Sequence, residues 1–200
     1  MKTARQLLRS SLLALGVMVA GAHANAETVT HDLSIDLSGV QSFSELSSPL
    51  NTVLTRFLNT DAHIIGLGWD VSMTAFAPSW LDDVKVRLSD SADSLPLDLR
   101  PGEGDQFAGT RSYGSGGIVD LTSLGYDFNV GNDGALRIEI YETLDDVPGA
   151  DAVFNSGSSL VVRYETAVTS VPEPSTQILL LVGGVLMATR RVAARRTSKA

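Results

Sequence analysis

The chain contains no cysteine. Disulfides, zinc–thiolate centres and thiol nucleophiles are therefore excluded, and any folded part must rest on its own core. Also missing is an apolar run long enough to cross a bilayer unaided. Spanning ~30 Å of hydrocarbon takes about 20 helical residues, and the apolar runs at residues 12–20 and 178–188 both fall short. Basic residues are scarce in the middle: residues 27–170 hold 22 acidic and 7 basic side chains, a formal charge of −15 against −8 for all 200 residues. Such a segment repels nucleic acid and anionic membrane surfaces, stays soluble and attracts divalent cations. No G-x-S-x-G elbow occurs, and the middle has only His31 and His63. Both lie on apolar stripes and read as core histidines, so nucleophilic catalysis has little to work with. There is no internal repeat.

The N-terminus has the order of an export signal. Lys2, Arg5 and Arg9 precede the apolar run, and Ala22-His23-Ala24 and Ala24-Asn25-Ala26 both fit an A-x-A cleavage site. Residues 1–26 are expected to be a signal peptide cut after Ala26 by signal peptidase, because the apolar run is too short for a permanent anchor.

Residues 27–170 alternate with a period of two. Val29, His31, Leu33, Ile35 and Leu37 share one face. So do Ile65, Leu67, Trp69, Val71, Met73 and Ala75. Further stripes are Val84, Val86, Leu88; Leu124, Tyr126, Phe128, Val130; Leu136, Ile138, Ile140; and Leu160, Val162, Tyr164, Thr166, Val168, with a short strand at residues 118–121. One-sided alternation belongs to antiparallel sheets. Gly131-Asn132-Asp133-Gly134 predicts a hairpin. Pro101-Gly102-Glu103-Gly104 and Gly114-Ser115-Gly116-Gly117 bracket a long flexible loop. Only residues 48–59 suit a helix, with Pro49 before a Leu50, Val53, Leu54, Phe57 stripe. Seven or eight short strands imply an all-β fold, an antiparallel two-sheet sandwich of jelly-roll-like or Ig-like form.

The tail has three parts. Val171-Pro172-Glu173-Pro174-Ser175 cannot pair as helix or sheet because proline lacks an N–H. Next come the apolar run and the basic cluster Arg190, Arg191, Arg195, Arg196 and Lys199. Residues 175–194 reach spanning length if Arg190 and Arg191 snorkel, which makes a C-terminal transmembrane helix with its cations left in the cytosol. Both ends then place residues 27–170 outside the inner membrane.

This order at residues 171–196 closely resembles the PEP-CTERM sorting signal of Gram-negative bacteria that make extracellular polysaccharide. The resemblance implies that Pro172, Glu173 and Pro174 are the recognition residues of exosortase, a membrane peptidase. It also implies that the anchor is transient and the product reaches the envelope or the exopolysaccharide matrix. Gly66-Leu67-Gly68-Trp69-Asp70-Val71, Ser79-Trp80-Leu81 and the segment from Asp133 to Glu139 look like the sandwich domain of such proteins, which brings no activity with it.

Three chemistries suggest themselves. A carboxylate pair among Glu139, Glu142, Asp145 and Asp146 would serve glycoside hydrolysis, the alternative reading being a secreted carbohydrate-active enzyme. Glu142, Asp145, Asp146 and Asp151 put four carboxylates into one loop region, a candidate Ca²⁺ site without EF-hand spacing. Trp80 and Tyr113, in predicted loops, are candidates for stacking on sugars. The expected function is non-catalytic: an exported structural or adhesive protein associated with polysaccharide.

Overall fold

The longest predicted stripe becomes the longest strand and organises the fold. In the computed structural model, which describes residues 27–168, β4 spans His63–Ala75. The expected signal peptide over residues 1–26, and the tail over 171–196 with its membrane helix and arginine cluster, lie outside the described residues.

The remaining strands are β1 (Glu27–Asp36), β2 (Gln41–Ser42), β3 (Thr52–Phe57), β5 (Val84–Ser89), β6 (Leu97–Leu99), β7 (Gly109–Gly114), β8 (Val119–Asp120), β9 (Phe128–Asn129), β10 (Ala135–Glu142), β11 (Ala152–Phe154) and β12 (Ser159–Val168). One edge of β4 pairs with β12 and then β11, which carry β1 and β2 outside them. Its other edge pairs successively with β9, β8 and β7. The second sheet runs β3-β10-β5-β6. Every strand pairing is antiparallel, so the chain folds as the expected all-β sandwich of two sheets.

The apolar stripes meet between the sheets. Leu67, Val71 and Met73 of β4 and Leu160 and Val162 of β12 join Val86 and Leu88 of β5 and Leu136, Ile138 and Ile140 of β10 in one buried core. Each fully buried aliphatic side chain contributes about 1.5–3 kcal/mol, which lets a domain without disulfides stand.

Four local expectations are corrected. Residues 48–59 form no helix. Thr52, Val53 and Thr55 are β-branched, and β3 takes their backbone into a ladder with β10. Phe57 consequently points outward and is 79% exposed. The predicted strand from Leu124 to Val130 shrinks to β9. Asp120 accepts hydrogen bonds from the Thr122 amide and hydroxyl and holds a 3-10 turn at Thr122–Leu124, which leaves Leu124 and Tyr126 exposed. Gly131 to Gly134 make a turn, but it connects β9 in one sheet to β10 in the other and so is no hairpin. Part of the expected flexible loop is strand β7.

A bulge also interrupts β4. Arg163 pairs with Gly66 and Tyr164 with Ile64, leaving Ile65 as the extra residue. Parity flips there, so Ile64 enters the core in place of Ile65. Gly66 and Gly68 allow the crowding alongside: a β-carbon on Gly66 would sit 2.7 Å from the Ile118 side chain, and one on Gly68 3.1 Å from the Gly117 carbonyl.

Candidate functional site

Period two along β10 carries Leu136, Ile138 and Ile140 into the core, and the next residue of that parity is Glu142. The last inward position of the strand therefore holds a carboxylate, 1% exposed. Its amide donates to the Ser44 carbonyl at 2.9 Å, which fixes the backbone. Asp151 precedes β11 and is 0% exposed. Its amide donates to the Ser42 carbonyl at 2.9 Å, and its carbonyl accepts the Phe76 amide at 2.8 Å. Main-chain bonds to one short segment thus pin both ends of the loop at residues 143–150.

The two side chains are neighbours in this buried space, each bearing on the other's protonation. Ser42 lies against Glu142 and Ser79 against Asp151. Both serines are buried, and neither hydroxyl reaches hydrogen-bonding geometry. Among the described residues, all four oxygens of Glu142 and Asp151 lack a hydrogen-bond donor. Asp83 borders the group. One carboxylate oxygen accepts the Trp80 amide at 3.4 Å, and its carbonyl accepts the Thr143 amide at 3.1 Å. Burial pushes Glu142 up to about 8, and the charge of Asp151 adds to the rise. Burial likewise raises Asp151 and Asp83.

Glu139, three positions earlier on β10, shows what a satisfied buried carboxylate looks like. It is also 1% exposed. It accepts the Ser47 amide at 2.7 Å and the Asn51 side-chain amide at 2.8 Å, and it pairs with Arg137. Burial alone would raise its pKa, but these three partners outweigh it and hold the group below its ordinary value. Burial is common to both glutamates, and the partners are not.

The four carboxylates expected to form a calcium loop are divided. Glu142 and Asp151 meet inside. Asp145 and Asp146 are exposed beside Val147 and Pro148, with Asp145 accepting the Ser44 hydroxyl at 3.1 Å. Ser42 and Ser79, which the structure adds to the inner pair, were missed; Asp83 stood out in the sequence only as part of a lesser acidic cluster, Asp82-Asp83, and its place beside the pair was not foreseen. The parity of Glu142 was the one available signal.

The two aromatic candidates also differ. Trp80 lies in a loop and is 42% exposed. Tyr113 is in β7 and packs against the core, and its hydroxyl donates to Asp105 at 2.7 Å. Burial pushes that hydroxyl's pKa up, and the Asp105 hydrogen bond pushes it further. Leu81 donates to the Phe107 carbonyl at 3.1 Å and Asp82 to that of Asp105 at 3.2 Å, so the Trp80 loop runs beside the segment that Tyr113 holds. Phe107, itself exposed, lies 5.1 Å from the Arg111 guanidinium. Phe76 is similarly exposed. Sequence reasoning missed both phenylalanines.

A separate cleft of about 380 Å³ is lined by His63, Ile65, Gly66, Asp120, Arg163 and Glu165, among others. The bulge places Ile65 there. His63 is no core histidine: it is partly exposed, and its Nε2 lies 2.8 Å from Asp127. His31 stacks on Tyr164 with ring centroids 5.0 Å apart. Arg163 is occupied by a two-pronged pairing with Asp32, both contacts at 2.8 Å.

Comparison with curated proteins finds no match. Solved structures give distant likenesses. A serine protease of Aeromonas sobria is 13% identical, with 73% of this chain and 28% of that chain covered and a TM-score of 0.36. A chain of Desmodium yellow mottle tymovirus is 9% identical, with 88% and 100% covered and a TM-score of 0.27. The sugar-binding EclA C-terminal domain is 12% identical, with 75% and 86% covered and a TM-score of 0.25. The chain thus spans little more than a quarter of the Aeromonas protease. The tail gives a definite result: residues 170–196 match the PEP-CTERM protein-sorting motif, the mark of an exported, membrane-passing precursor that exosortase sorts.

Proposed function

We propose that the sandwich is a non-catalytic structural or adhesive module of the cell envelope or extracellular matrix, associated there with polysaccharide. The sorting motif carries this reading, since it provides for delivery of the preceding domain. The domain's formal charge of −15 suits an exported, solvated surface. Exposed aromatic faces at Phe76, Trp80 and Phe107 give a sugar something to stack on, because pyranose rings present apolar C–H faces. Tyr113 acts behind them by holding Asp105 through its hydroxyl.

Fractionation of a producing strain, followed by sedimentation with the strain's own exopolysaccharide, tests this. The processed protein should partition with the matrix. Trp80→Ala should weaken that association by about tenfold while the melting temperature holds, because removing an exposed side chain costs little stability. A protein that stays in the cytosol, or that releases reducing sugar from the polysaccharide, would sink the proposal; the second outcome would favour the carbohydrate-active enzyme.

A further inference from the structure

Carboxylates are buried at a cost of several kcal/mol unless something of opposite charge compensates them. Glu139 has its compensation in Arg137, Asn51 and the Ser47 amide. Glu142 and Asp151 are as deeply buried, yet among the described residues no cation pairs with them and no donor reaches hydrogen-bonding geometry, the Val147 amide beside Asp151 included. The nearby Arg100 is engaged by Asp82 at 2.6 Å. Two buried serine hydroxyls, also without partners, stand against the same pair. Orphaned oxygens of this kind, gathered from β2, β10, the lead-in to β11 and the loop after β4, have one chemistry in common: they are ligands for a hard cation.

We propose that Glu142 and Asp151, with the hydroxyls of Ser42 and Ser79, form a buried calcium site between the two sheets, bordered by Asp83. The proposal goes beyond the adhesive reading and does not depend on it. Among the described residues, no three His, Cys, Asp or Glu side chains form a ready-made metal cluster. Neutral oxygens must therefore complete the coordination shell. Four carboxylate oxygens and two hydroxyls reach the lower end of the range of about 6–8 that calcium accepts, in the flexible geometry it tolerates. Zinc prefers nitrogen and sulfur, and none of these side chains offers either. Magnesium demands near-octahedral geometry and keeps several waters, which suits a buried pair poorly. An ion here would tie the last residue of β10 to the first residue before β11 and clamp the loop at 143–150 at both ends. Asp145 and Asp146, on the outside of that loop, are not ligands.

The test uses the full chain, purified in detergent, stripped with chelator and dialysed against radioactive calcium. The wild type should bind one calcium per chain. Millimolar calcium, but not equal magnesium, should raise its melting temperature by about 4–8 °C. E142Q/D151N should bind no calcium and lose that rise. In chelator it should melt at or above the wild type, because the buried carboxyl pair and its cost are gone; this separates a lost site from a damaged fold. S42A and S79A should each weaken binding by about tenfold and supply the readout if the double variant does not fold. D145N/D146N should bind like the wild type. No bound calcium at millimolar concentration, an equal response to magnesium, or loss of binding in D145N/D146N would overturn the proposal.

Discussion

Glu142 and Asp151 are buried neighbours inside the end of the sandwich core, their carboxylate oxygens all without a hydrogen-bond donor among the described residues, although a loop separates them in the chain. Glu139, on the outward parity of the same strand, is tied instead to Arg137, Asn51 and Ser47. Two buried glutamates on one strand thus have opposite electrostatics, and opposite consequences for stability.

For Glu142 the folded-state pKa is raised from 4.5 to about 8. The folded protein then holds a proton that the unfolded chain releases. In calcium-free buffer, stability should be fully present below about pH 4.5 and decline as pH rises through 8. The slope should be at most about 1.4 kcal/mol per pH unit for one group. Urea unfolding across this range should show the decline in the wild type and a shallower one in Glu142→Gln.

Glu139 gives the reverse sign. Its folded-state pKa lies below its ordinary value of 4.5, so its contribution is present above that pH and lost as pH falls through the folded value. Acid unfolding followed by circular dichroism should be shallower in Glu139→Gln. Arg137→Ala removes the cation from a glutamate that stays buried and should cost about 3 kcal/mol.

Gly134 has a φ of +66°, and a β-carbon there would lie 2.5 Å from the Leu58 carbonyl oxygen. Gly131, at φ +78° in the same turn, has nothing within 4 Å. Gly131→Ala should cost about 1 kcal/mol from backbone strain alone. Gly134→Ala adds a backbone clash and should cost about 1–3 kcal/mol more. Equal melting temperatures for the two variants would contradict the turn geometry.

The corrected β3 is tested by its side chains. A helix over residues 48–59 would put Phe57 on the buried stripe, whereas the strand leaves it 79% exposed. Phe57→Ser should therefore change stability by less than about 0.5 kcal/mol. Ile138→Ala, in the core and paired with Leu54 of β3, should cost about 2–5 kcal/mol.

The parts of this fold that were legible in the sequence are those where one face is buried. The stripes at Val84 to Leu88, Leu136 to Ile140 and Leu160 to Val162 became core strands, because period-two burial leaves a clear pattern. Residues 48–59 misled because Leu50, Val53, Leu54 and Phe57 also satisfy a helical period, and pairing with β10 decided the outcome. Strand β7 was invisible: Gly109, Thr110, Arg111 and Ser112 carry no apolar stripe and are ordered by the edge of β4. The site was half legible. Glu142 and Asp151 stood out as acidic residues, but separating them from Asp145 and Asp146 required knowing which way each backbone turned. Ser42 and Ser79 enter only through tertiary contact, and so does the position of Asp83 beside the pair.

Export of this domain and its release from a transient anchor would leave a product trimmed at both ends. Mass spectrometry of the protein recovered outside the cells tests this most directly. The expected product has an N-terminus near Glu27 and lacks the residues beyond Pro174. Recovery of that protein with Arg195 and Arg196 still attached would contradict it.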